Sequence, residues 1–119
     1  MRLGDKAMVT RVFAAADVAD YVALGGAPVP PGIVPEPLLG ALFSYLLGVK
    51  LPGVGTNYLK QETTFPAPAR VGEALTATVE ITRLRPDKHL ADLETVCRAP
   101  DGTVVATGRA LVGVSDVGA

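Results

Sequence analysis

Apolar residues recur every three to four positions in the first half of the chain and every second position in the second half. Leu38, Leu39, Leu42, Phe43, Leu46 and Leu47 follow the helical period, while Gly40, Ala41 and Ser44 keep the other side small enough for close contact. The stretch Ile33 to Gly48 opens with Pro35 and Pro37 and closes on Gly48, so the pattern predicts one buried helix, apolar nearly all round. A shorter helix is expected over Phe13 to Leu24, with Val18, Tyr21, Val22 and Leu24 as its stripe and Gly25-Gly26 as its stop. Lys6 to Phe13 has the β-branched content of a first strand. Leu75, Ala77, Val79 and Ile81 alternate with Thr76, Thr78, Glu80 and Thr82, the period of a strand with one buried face. Leu90 to Arg98 repeats that pattern with Ala91, Leu93, Thr95 and Cys97 on one side, and Asn57 to Phe65 and Thr103 to Val114 complete the strands.

Turn chemistry separates these elements. Ala27-Pro28-Val29-Pro30-Pro31-Gly32 is a stiff loop, because its three prolines fix φ and remove amide donors. Leu51 to Thr56 and Pro66 to Glu73 are connections, and Arg85 to Lys88 and Pro100 to Thr103 read as hairpin turns. The order is strand, helix, rigid loop, long apolar helix, then four strands joined mainly by hairpins. An antiparallel sheet curled around a central helix buries both apolar surfaces, which is an α+β architecture of the hotdog type.

At 119 residues the chain forms one domain spanning 1–119. With 49% hydrophobic residues, 19% charged and a net charge of −1, it lies outside the disordered range and has no electrostatic claim on nucleic acid or acidic membranes. Its longest apolar run, Leu38 to Val49, falls short of the roughly 20 residues of a membrane span. The N-terminus shows no secretory pattern, so a soluble, cytoplasmic protein is expected. One cysteine and one histidine exclude an internal disulfide and a zinc site of four protein ligands, and no metal is expected.

Four segments resemble a known family. Phe13-x-x-x-Asp17-Val18-x-x-Tyr21-x-x-Leu24-Gly25-Gly26 is similar to the opening of MaoC-like acyl dehydratases, the (R)-specific enoyl-CoA hydratase group. Ile33-Val34 with Leu38 to Gly48 resembles its central helix, and Leu51-Pro52-Gly53-x-Gly55-Thr56-x-Tyr58-Leu59-x-Gln61 the turn and strand that follow. Phe65-x-x-Pro68-x-x-x-Gly72-x-x-Leu75-x-Ala77 matches the next segment. The resemblance implies a hotdog fold, acyl-CoA or another acyl thioester as ligand, no other cofactor, a place in fatty acid metabolism and pairing into a homodimer.

Departures from that family are as specific as the matches. Its hydratases carry an aspartate directly after the glycine of the first helix stop and a histidine five positions later; here Ala27 follows Gly26 and the next histidine is His89. The overhang before the central helix is cut to Pro28–Val34, and the His-Gly pair that leads into that helix aligns with Pro35-Glu36. Hydrating an unsaturated thioester needs a group to deprotonate water, one to protonate the α-carbon, and donors for the enolate oxygen. The first two jobs lose their family residues, and Pro35 and Pro37 remove N–H donors from the helix start, leaving Glu36, Leu38 and Leu39.

Glu36 is the acidic residue placed where the thioester carbonyl would arrive, either as a first-turn carboxylate or as a general base or nucleophile. Leu38, Leu39 and Tyr45 on the helix, and Asn57 and Tyr58 on the next strand, are candidates for acyl and thioester contact. His89 reads as a solvated hairpin residue, Asp17 and Asp20 as a polar helix face, and Cys97 as core. Three functions fit: a hydratase-like thioester binder whose chemistry is lost or supplied by a partner subunit, in a homodimer or with a full-length MaoC-like subunit; an acyl-CoA thioesterase using Glu36; and a non-catalytic structural or regulatory module. Whether the chain is an enzyme is left open by the absence of the Asp/His pair.

Overall fold

Every second residue of the central strands points into a curved sheet, and that concave face is where the helix lies. The computed structural model describes residues 1–118. The chain runs β1 (Lys6–Val12), α1 (Ala15–Ala23), α2 (Glu36–Tyr45), β2 (Asn57–Thr64), β3 (Ala74–Arg85), β4 (Leu90–Arg98) and β5 (Val104–Gly113). Leu75, Ala77, Val79 and Ile81 of β3 are buried against Leu39, Leu42 and Phe43 of α2, with Ala91, Leu93, Thr95 and Cys97 of β4 beside them. Ala77, Ala91, Ala106 and Ala110 keep the sheet floor shallow, so the larger helix side chains fill the space between the two. The hotdog architecture expected from the sequence is therefore present, in a five-stranded antiparallel sheet.

The sequence left the strand order open, and the end of the long helix needs correction. The sheet order is β1-β3-β4-β5-β2, so β2 pairs with β5 rather than forming a hairpin with β3. The connection from Phe65 to Glu73 crosses to the other side instead, where Val34 N donates to Ala69 O at 2.8 Å and Gly72 N to Phe13 O at 2.9 Å. Prolines at 66 and 68 suit this route, since they cannot serve as interior strand donors. Gly48 does not close the long helix either. Leu46–Lys50 continue it as a π-helical turn, with Leu51 N donating to Leu46 O at 2.8 Å before the backbone becomes extended at Leu51. Leu46 and Leu47 are buried, and their contribution to the core extends the helix past its glycine.

The helix is also not enclosed all round. Glu36, Pro37, Ala41, Ser44 and Tyr45 are exposed, so the sheet wraps one side of α2 and leaves a small-residue side open. No helix among the described residues is long and apolar enough to cross a membrane.

Gly108 lets β2 lie close against β5: a Cβ built there would fall on the Glu62 carbonyl oxygen and 2.9 Å from the Thr63 Cα. Gly108→Ala is expected to lower stability by about 1–3 kcal/mol in urea denaturation. Hydrogen exchange should show the loss concentrated in β2.

Candidate functional site

The start of α2 is poor in hydrogen-bond donors. Pro35 occupies its N-cap with no side-chain cap bond, Pro37 follows Glu36, and Leu38 N already donates to Pro35 O at 3.0 Å. Of the three amides expected near the thioester carbonyl, the Leu38 N–H is thus engaged within the helix. Beside this start, a groove of about 360 Å³ opens between α2 and β2, lined by Glu36, Pro37, Gly40, Gln61, Thr63 and Phe65. Gln61 Nε2 donates to Thr63 Oγ1 at 2.8 Å, which orients an amide and a hydroxyl along the groove wall. Among the described residues, no cation lies within ion-pair distance of the exposed Glu36 carboxylate.

A bulge determines which β2 side chains reach this groove. Tyr58 pairs with Val112 but Lys60 pairs with Leu111, so Leu59 is an extra residue and the strand's alternation reverses there. Tyr58 points inward before the bulge, and Gln61 and Thr63 point inward after it. Sequence reasoning missed Gln61, Thr63 and Phe65 as wall residues, because simple alternation from Tyr58 assigns Lys60 and Glu62 to the inside. Their shared odd parity was the available signal.

The residues singled out from the sequence are dispersed. Glu36 lies on the groove, and Leu39, itself buried, lines an adjoining recess of about 210 Å³ that shares Glu36 and Phe65. Leu38 turns to a separate cleft against Tyr21 and Leu24 of the α1 segment. Tyr45 is 44% exposed near the far end of α2. Asn57, exposed, and Tyr58, half-buried, occupy the opposite end of β2 from Thr63. The structure thus brings Glu36 and Leu39 together and leaves the other four apart.

Acid/base partners do not converge on the groove. Asp17 is engaged at the start of α1, accepting from Ala14 N at 2.7 Å and facing Arg11 at 3.7 Å. His89 adopts φ 53° after the Pro86–Lys88 turn and sits beside Leu84, Leu90 and Val114 at the far end of the sheet. Ala27 is exposed, and the Tyr21 ring covers Gly26 so closely that a Cβ there would meet it. The described residues contain no group of three metal-ligating side chains.

No family model matches the chain. An (R)-specific enoyl-CoA hydratase from Aeromonas caviae is 38% identical over 126 residues, covering 94% of this chain and 94% of that protein. Because 126 aligned positions exceed the 119 residues available, the relative carries residues with no counterpart here. The structure of the (R)-hydratase from A. caviae involved in PHA biosynthesis superimposes with a TM-score of 0.90 at 38% identity, over 95% of this chain and 96% of that one. The unliganded R-hydratase PhaJ1 from Pseudomonas aeruginosa gives a TM-score of 0.87 at 28% identity, over 94% and 81% of the two chains.

Burial pushes the Tyr58 hydroxyl up to about 12 and the Cys97 thiol up to about 11. Both groups hold in the folded state a proton that the unfolded chain releases earlier, so their contribution is complete below pH 9.0 and is lost as pH rises through 11 and 12. Tyr58 Oη is buried without a protein partner. Tyr58→Phe is therefore expected to leave stability at neutral pH unchanged or raised by about 1 kcal/mol. It should also flatten the upper part of the alkaline decline in a pH series of urea midpoints.

Proposed function

Because the chain belongs to the (R)-specific enoyl-CoA hydratase family, we propose that it binds an acyl-CoA or another acyl thioester in the groove at the start of α2, with hydration chemistry lost from this chain or supplied by a full-length partner subunit. The observation that carries this reading is a groove bearing a single carboxylate, Glu36, with the chain's only histidine at the other end of the sheet. Adding water to the double bond requires a base on the water and a proton delivered to the α-carbon, and one exposed carboxylate beside an amide and a hydroxyl does not furnish that pair. Gln61 and Thr63 instead offer hydrogen bonds to the amides and thioester of an extended ligand, and Phe65 an apolar surface for the acyl group. Such a ligand places the protein in fatty acyl metabolism.

Exposed Glu36, with no cation at ion-pair distance among the described residues, favours a second reading, thioester hydrolysis with Glu36 as base or nucleophile. A non-catalytic module is the reading left if no thioester binds.

Calorimetry with crotonyl-CoA is expected to detect binding, while hydration by the purified chain runs at least about a hundredfold below the A. caviae relative, the contribution of one acid/base group. A family-typical hydration rate would refute the loss of catalysis. An added Cβ at Gly40 meets nothing within 4 Å, so Gly40→Met projects into the groove with the core untouched. It should weaken thioester binding at least about tenfold, whereas Gly40→Ala should raise helix stability by about 1 kcal/mol. Hydrolysis of crotonyl-CoA that disappears in Glu36→Gln would instead establish the thioesterase.

A further inference from the structure

The recess beside the groove has an arginine at its rim that no carboxylate answers. Ile33 lines this recess and forms an isolated antiparallel bridge with Arg70. Val34 N donates to Ala69 O at 2.8 Å and Val71 N to Gly32 O at 2.9 Å, so the hydrogen bonds flank the Ile33 and Arg70 pair and are not shared by it. In an antiparallel pair of that kind the two side chains stand closest, on one face of the backbone ribbon. Arg70 therefore rises beside Ile33. Its backbone is held from the other side as well, since Gly72 N donates to Phe13 O at 2.9 Å, and Pro66 and Pro68 stiffen the approach to it.

Charge and polarity single this arginine out. The ion pairs among the described residues engage Lys6, Arg11, Lys60 and Arg85, whereas Arg70 is exposed with no carboxylate at ion-pair distance. The recess itself is apolar, a volume of about 210 Å³ walled by Val34, Leu39, Phe65 and Ala69 among others. Among its lining residues Glu36 alone has a polar side chain, and Glu36 and Phe65 are shared with the groove. An acyl group laid on Phe65 thus continues away from one carboxylate and toward one guanidinium.

We propose that the recess selects an acyl group ending in a carboxylate: a short dicarboxylic acyl thioester, with its thioester in the groove and its far end paired with Arg70. This rests on the thioester-binding reading and names its substrate class. The backbone limits the length. Ile33 and Glu36 are at most about 11 Å apart and a pair such as Ile33 and Arg70 about 4.5 Å, so the Arg70 and Glu36 Cα atoms lie within about 16 Å of each other. An arginine side chain covers part of that span, and a chain of a few carbons covers the rest. A carboxylate accepts two parallel N–H bonds from a guanidinium, and apolar walls strengthen the attraction by thinning the water around it. Glu36 repels an anion left at the groove end, which favours the fully inserted tail.

Calorimetry with glutaryl-CoA and valeryl-CoA, equal in carbon number and differing in the terminal carboxylate, tests the proposal. The wild type should bind glutaryl-CoA at least about tenfold more tightly. Arg70→Gln should lower the glutaryl-CoA affinity to that of valeryl-CoA. Arg70→Lys, which keeps the charge but not the planar fork, should restore part of the preference. The bridge uses only the backbone of Arg70, and thermal melts of the variants will confirm that they fold. Equal binding of the two ligands by the wild type, or a preference that survives Arg70→Gln, would overturn the selection alone. So would an equal loss of both ligands in Arg70→Gln, since the anion at Arg70 would then be a phosphate of coenzyme A. No binding of either ligand or of crotonyl-CoA would overturn the thioester reading, and this one with it.

Discussion

One contact organises this protein: the apolar side of α2 pressed into the concave face of the sheet. Phe43 and Leu46 have no exposed surface, and the buried strand residues of the same core mix branched side chains with alanines. Burying such side chains contributes about 1.5–3 kcal/mol each, enough to dominate the placement of everything attached to the helix. The start of α2 is therefore held by its middle, and the groove beside Glu36 inherits a position set by core residues two turns away.

That arrangement separates scaffold from chemistry. The helix and the wrapping sheet are shared with the (R)-hydratase from A. caviae over nearly the full length of both chains. What occupies the neighbouring positions is local: Ala27 after Gly26, and two prolines at the helix start. Ala27 and Pro37 lie outside the buried core, so these positions can vary without disturbing the helix-sheet contact.

The core was legible in the sequence because burial imposes a period. Alternation along β3 and β4 marked the inward residues, and the three-to-four spacing of Leu38 to Leu47 marked the helix. The strand order was not legible, since β2 pairs with a strand more than forty residues later and no local signal records that choice. The far end of the helix was misread for a related reason: Gly48 carries the chemistry of a stop, but tertiary burial of Leu46 and Leu47 outweighs it. At the candidate groove, the place of Glu36 in the first helical turn was legible, whereas the inward facing of Gln61 and Thr63 was concealed by a single irregular residue.

That residue, Leu59, works as a chemical selector. With it, the groove receives an amide and a hydroxyl, uncharged groups suited to peptide-like and ester-like ligands, while a lysine and a glutamate go to the convex face. Ironed out into regular pairing with Leu59 kept, the strand would turn over beyond that point, presenting Lys60 and Glu62 to the groove and hiding the neutral pair. The chemistry of the groove wall thus depends on where the strand absorbs one extra residue, and not only on which residues it contains.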